Sequence, residues 1–484
     1  MKRASLLSVA VLVILTLVVS GVASVFAQST TKSLSTNYTV QNLSLTEPAV
    51  IHVSYSLAYD GTTPGGTWNA DAGNTDFTVA PGLSKVVAQY LDSTMVDGAG
   101  AAVIEGSQPI AAIVNMLARG QTPTSGSYTA FSAGSESFYM PFAFKNLVSS
   151  VGTINSQLII QNAGTDATTV TVDLIPGTSG LPSYSKTISN LPAGESFYYD
   201  QSEEGNLPNG WYGSALVSAA AGGSITAVGN QFTGSHGLLT YPGFPEGYTD
   251  WVVPLYLSRL SNGYNSIIAI QNVSGSTISA GALSVTFTPD PSLGAAPFTK
   301  TLGSDLADTA TWTLNPRGNP DWPVGSFGAA KIHSTGGNVV AIVNQLVNEP
   351  PNSRPSALSY NAIPANITGQ TVVVPLIMSR LSNNYSTVLT VANLTDQAGS
   401  CNFTYKPDPS LSLADTVVTG VTLPASGSIV HNHRLSGAGT HELPSSWYGA
   451  AIVECNRAVG GVVNQLQAGG AGDPDLSYNA FTTD

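Results

Sequence analysis

His431 and His433 stand two residues apart, with His441 close behind. Two imidazoles at that spacing on a strand share one face, which is the minimum needed to begin a metal site. Cys401 and Cys455 are the only two cysteines, and in an exported chain an even pair reads as a disulfide. A bridge spanning that many residues contributes about 4 kcal/mol on the chain-entropy estimate. Glu203-Glu204 is an adjacent acid pair in a Gly/Pro-rich loop, a setting that suits solvated charge better than acid-base work. Trp68, Trp211, Trp312, Trp322 and Trp447 could stack on sugar rings. The chain contains no G-x-S-x-G, no H-E-x-x-H and no D-x-D-x-D-G calcium loop. We therefore expect no catalytic residue, no cofactor and no bound metal.

These residues sit within a long internal repetition. VVVPLIMSRLSNNYSTVLTVANLT from Val372 has a near-copy, VVPLYLSRLSNGYNSIIAIQNVS, from Val252. Four anchors recur along the chain. The first is an Asn closing a QN-like step: Asn42, Asn162, Asn272, Asn393. The second is a Gly followed by small residues: Gly100, Gly213, Gly328, Gly449. The third is the Asn of AIVN or a variant: Asn115, Asn230, Asn344, Asn464. The fourth is a Tyr: Tyr128, Tyr241, Tyr360, Tyr478. The AIVN asparagines are 115, 114 and 120 residues apart, a period long enough for a domain rather than a solenoid turn. The expected division is 28–136, 137–248, 249–369 and 370–484. His431 and His433 align with Phe197-Tyr198-Tyr199 and Thr311-Trp312-Thr313, and no cysteine is free to join them if the disulfide forms, so metal binding is not expected of them.

Each repeat reads as short strands separated by Asn, Gly, Pro and Asp. The last has expected strands at 371–380, 385–394, 400–406, 416–423, 428–434, 450–455, 460–467 and 477–481. Alternation in the third strand (Val170/Val172/Leu174, Leu283/Val285/Phe287, Cys401/Phe403/Tyr405) predicts one buried face. Glu105 and Glu454 should face water, with Cys455 facing inward beside Cys401. The sixth and seventh strands are expected to form a hairpin. The fold class is thus all-β: four tandem immunoglobulin-like β-sandwiches, with a jelly-roll-like sandwich as the alternative. Asn115, Asn230, Asn344 and Asn464 share a face with apolar neighbours. They are expected to be structural buried polar groups, each tying down a nearby loop.

Charged residues make up only 9% of the chain and the formal net charge is −13. No basic stripe is present, so nucleic acid is not an expected partner. Lys2-Arg3, the apolar run Leu6 to Val19 and Val25-Phe26-Ala27 read as a secretory leader, residues 1–27, cut after Ala27. The competing reading is an uncleaved anchor, in which case this segment alone meets the membrane. Repeats two to four each open on a proline-containing strand (138–144, 252–257, 372–378). The first repeat's counterpart falls on the leader and a polar stub. Its sheet edge would then be open to a strand from another copy, giving head-to-tail assembly, unless it is an ordinary edge blunted by Lys32.

The pattern V-P-L…QN…GAA…AIVNQ…SYNAF resembles uncharacterised tandem sandwich repeats of secreted bacterial surface proteins. That resemblance implies a secreted, extracellular or cell-surface location and a structural or adhesive role. Partners would be other copies or cell-surface polysaccharide, and an array of polysaccharide-binding modules is the alternative function.

Overall fold

The computed structural model describes residues 33–119, 124–149, 152–178, 180–234, 237–317, 319, 321–347, 356–436, 443–469 and 473–483, and the backbone of 9–15. The cleavage point after Ala27, and His441, lie outside the described residues. Nearly all the regular structure described is strand, joined by turns, irregular stretches and a few single helical turns.

In the last repeat the strands are Thr371–Ser379, Tyr385–Asn393, Gly399–Pro407, Thr416–Leu423, Ser428–Asn432, Trp447–Cys455, Val459–Gln467 and Leu476–Asn479. The third, sixth and first pair in one antiparallel sheet, with the fourth at its edge; the second, fifth, seventh and eighth form another. The same two sheets recur upstream, giving eight among the described residues. Inward residues of both sheets meet in a shared core: Val372, Val374, Leu389, Val391, Phe403 and Val453 belong to one buried cluster. The third strands alternate as the sequence predicts, and Glu105 and Glu454 are exposed.

One expectation fails in every repeat. The sixth and seventh strands do not form a hairpin; they lie in different sheets, joined by a short arch. The sixth already has the first and third strands on its two edges, and the seventh has the second and eighth. The sequence carries the reason. Val339–Val347, VVAIVNQLV, is buried at all nine positions. A strand apolar on both faces belongs in the middle of a layered structure, not in a hairpin with one wet side.

Cys401 and Cys455 are directly opposed on neighbouring strands of one sheet and form a disulfide with a Cα–Cα distance of 4.0 Å. Cys401 is buried and Cys455 half-buried, so the bridge staples two strands that already share a ladder.

The recurrent Gly has a common cause. A Cβ on Gly449 would lie 2.1 Å from the Lys406 carbonyl oxygen; on Gly213, 1.9 Å from that of Ile175; on Gly328, 2.2 Å from that of Thr288; and on Gly100, 2.0 Å from that of Ser56. The sixth strand there passes the end of the third too closely for any side chain.

Candidate functional site

The recurrent polar residues converge on the seams between repeats. Along the seventh strand one parity faces its own core and the other faces the neighbouring repeat. Ile113, in the first repeat, is fully buried within the fourth repeat's core cluster. Ile159 and Val228 of the second repeat join the first repeat's core, and Val462 of the fourth joins the cluster shared by the second and third. Each repeat thus covers the open side of the one before it, and the first covers the fourth. The contact closes after four steps, so the chain is a ring of repeats rather than a row of separate beads.

The AIVN asparagines lie on this outward parity, with their amides at the seams. Asn464 Nδ2 donates to Gln345 Oε1 at 2.9 Å, and Asn344 Nδ2 to Gln231 Oε1 at 3.2 Å. Asn115 and Gln465 exchange both amide bonds, at 3.3 and 3.1 Å, closing the ring from the first repeat to the fourth. Asn230 has no such partner upstream, because Met116 stands where the other repeats carry Gln; its amide turns to Gln157 of its own repeat at 3.5 Å. Each asparagine oxygen also accepts a hydroxyl from its eighth strand: Ser127, Thr240, Ser359 or Ser477, at 2.8 to 3.0 Å. The four eighth strands lie side by side around the ring's axis. Thr129 Oγ1 donates to the Asn479 carbonyl at 2.8 Å, and Asn361 and Asn479 exchange backbone and side-chain bonds.

These asparagines are buried, but they do not tie loops. That work belongs to the asparagine of the QN step. Asn272 Nδ2 donates to the carbonyls of Ser276 at 2.7 Å and Leu306 at 3.0 Å, while its oxygen accepts the Ser274 amide. Asn42, Asn162 and Asn393 repeat the pattern. We expect Asn464→Ala to cost about 1–3 kcal/mol, because Gln345 Oε1 and the Ser477 hydroxyl lose their buried partner. A chemical denaturation midpoint unchanged from the parent chain would refute this.

The fourth anchor, the tyrosine, fastens the first strand. In repeats two to four that strand bulges at its proline, two residues facing one on the sixth strand. The carbonyl following the proline is taken by the tyrosine hydroxyl: Tyr241 to Phe142 at 3.0 Å, Tyr360 to Leu255, and Tyr478 to Leu376 at 2.7 Å. Burial pushes all three hydroxyls well above their ordinary pKa. A folded-state pKa raised above the unfolded value contributes stability that is complete below pH 10 and lost as pH rises beyond it. Phenolate absorbance from these tyrosines should therefore appear only together with loss of the sheet signal in circular dichroism. Full ionisation of every tyrosine with the fold intact would be the contrary result.

His431 and His433 are buried on one face; the His431 ring lies 3.9 Å from that of Phe403, and its Nδ1 is 2.6 Å from the Tyr405 hydroxyl. Among the described residues no three His, Cys, Asp or Glu side chains gather as a metal site would need. Trp68, Trp211, Trp322 and Trp447 are buried and Trp312 is half-buried, so the exposed row that sugar stacking requires does not form from them. Glu204 does not stay solvated: its carboxylate accepts from the Tyr199 hydroxyl and from Asn206, which hold it below the usual carboxylate range against the opposing pull of burial.

One seam is open. Between the first and fourth repeats a cavity of about 220 Å³ is lined by Gln41, Asn42, Leu45, Thr371, Val373 and Glu454, among others. At the corresponding place between the third and fourth repeats only about 10 Å³ remains. There the linking residues Ile363, Ala365 and Ile367 pack against Val252, Ala392 and Leu394.

No family profile and no curated protein matches the chain. Among solved structures it is similar to the crystal structure of Thermotoga maritima 1070, at 16% identity over 23% of this chain and 96% of that one, with a TM-score of 0.19. It is also similar to Escherichia coli alpha-2-macroglobulin activated by porcine elastase, at 12% identity and a TM-score of 0.11, where 96% of this chain spans 44% of that one. At those scores neither likeness adds to what the strands themselves show.

Proposed function

We propose that this is a non-catalytic, secreted or cell-surface protein that works by contact, a structural or adhesive body made of four sandwich domains. The division at residues 136, 248 and 369 belongs to this proposal. So does a kinship with immunoglobulin sandwiches. The second and fifth strands share one sheet and the third and sixth the other, as B, E and C, F do in that fold. The flanking strands exchange places, the first lying beside the sixth and the seventh beside the second.

One observation carries the functional reading. The residues that recur with the repeat (Gly, both asparagines, Tyr) are consumed by ring closure, loop anchoring and close backbone approach, so what repeats in this sequence is scaffold. The leader-like N-terminus and the disulfide fit an oxidising, extracytoplasmic location. Neighbouring repeats cover one another within one chain, so single bodies at a surface are the expected form of this reading, with strand addition from another copy at the first repeat's edge as its alternative.

The cavity at the open seam favours a second reading, binding of a sugar unit, because its lining mixes amide, hydroxyl and carboxylate groups with apolar walls. Electron microscopy of the exported protein, with and without cell-wall polysaccharide, separates the two. Discrete particles unaffected by polysaccharide support the contact scaffold. Particles recruited to the glycan support the second reading. Turnover of the polysaccharide would overturn both.

A further inference from the structure

The first repeat handles its first strand unlike the others. In repeats two to four the strand beside the sixth is Ser137–Lys145, Asp250–Ser258 or Thr371–Ser379, each with a proline bulge whose freed carbonyl is held by the tyrosine. In the first repeat that place beside Gly100–Gly106 is taken by Val9–Leu15, from within the leader-like segment. This strand has no proline and pairs in unbroken register. Tyr128 is the equivalent tyrosine. It is 1% exposed, and its hydroxyl has no hydrogen-bond partner among the described residues. A buried hydroxyl without a partner is costly, and here it stands where its three counterparts each hold a bulge carbonyl.

We propose that this place is an acceptor site for an extended, proline-containing apolar segment of a partner polypeptide, and that Val9–Leu15 fills it only until the leader is removed. The proposal rests on the export reading above. The chemistry of the occupant is written three times in the chain itself: SFYMPFAFK, DWVVPLYLS and TVVVPLIMS. A run of apolar residues pairs with Gly100–Gly106, a central proline forces the bulge, and the next carbonyl accepts from Tyr128. The three internal strands of this type are each locked into their own repeat, so a second copy has none to lend and the donor is a different polypeptide. The emptied place would open the first repeat's core beside Ile159 and Val228, which pack into that core from the second repeat. The incoming strand thus covers apolar surface as well as completing a ladder.

The test uses chain recovered from the outside of an expressing bacterium, its N-terminus fixed by intact mass. The probe is a synthetic peptide with the sequence of Thr371–Ser379. We expect Gly100–Gly106 amides to exchange quickly in the processed chain and to become protected when the peptide is added. Tyr128→Phe should weaken peptide binding about threefold to tenfold, the value of one such hydrogen bond, and a peptide with alanine for the proline should bind more weakly to the parent chain but not to Tyr128→Phe. A processed chain whose Gly100–Gly106 amides are already protected and indifferent to peptide overturns the acceptor site while leaving export intact. A mass that retains residues 1–27 overturns cleavage after Ala27, on which the proposal rests, and the vacancy with it. Self-association through this edge without peptide would make another copy the occupant and overturn the choice of partner.

Discussion

Gly449→Ala should cost about 3 kcal/mol or more and leave the fourth repeat unable to close its sandwich. The added methyl would sit 2.1 Å from the Lys406 oxygen and 2.9 Å from Pro407 Cα. Both are backbone atoms held by the ladder between the third and sixth strands. Neither can rotate away as a side-chain end would, so the ladder itself must part. Overpacking of ordinary cores costs typically 1–3 kcal/mol, and a rigid backbone obstacle belongs at or beyond the top of that range. Gly205→Ala is the control, because nothing lies within 4 Å of its added carbon, and it should shift stability by no more than about 0.5 kcal/mol. Denaturation of the two variants side by side decides the matter; equal midpoints would show that the close approach does not exist.

Ile113→Asp should open the ring between the first and fourth repeats. Ile113 is fully buried in the fourth repeat's core. A carboxylate there has no partner and displaces a large apolar side chain, a combined penalty on the order of 5 kcal/mol. The chain can escape that penalty by letting the seam part. The comparison that gives this force is Val462→Asp, at the equivalent position between the third and fourth repeats. Those repeats are joined by the packed linker containing Ile363 and Ile367, which keeps the two surfaces at high effective concentration. Limited proteolysis should therefore release the first repeat's edges in Ile113→Asp and do so much less in Val462→Asp. Equal susceptibility of the two variants would argue that the first and fourth repeats do not touch.

Much of each sandwich is legible in the sequence, because strand alternation is a local signal. The third strand's Val170/Val172/Leu174 set, the exposed Glu105 and Glu454, and the shared facing of the two cysteines follow from period two; that Cys401 and Cys455 stand directly opposed is a matter of register. The ring is not local. Its best clue is the seventh strand, where VVAIVNQLV leaves no residue for water; an unbroken apolar run signals two covered faces, but it does not say what covers the second. The recurrent Gln after the AIVN asparagine was a further clue, since it is missing only where Met116 stands and Asn230 correspondingly has no partner upstream. The loop-tying role expected of the AIVN asparagines falls to the QN-step asparagines for a related reason. Both are buried amides next to apolar residues, and only the position of the next repeat distinguishes a seam from a loop. The sixth-to-seventh connection has the length of a hairpin turn, and length cannot reveal that both strands already have two neighbours.

Small-angle X-ray scattering of the exported protein tests most directly whether the four repeats close on themselves. A compact body of this length has a radius of gyration of about 23 Å, whereas four sandwiches in a row would give about 40 Å. The ring predicts a value near the first figure, with a single compact distance distribution. A value near the second, with an extended tail, would contradict it.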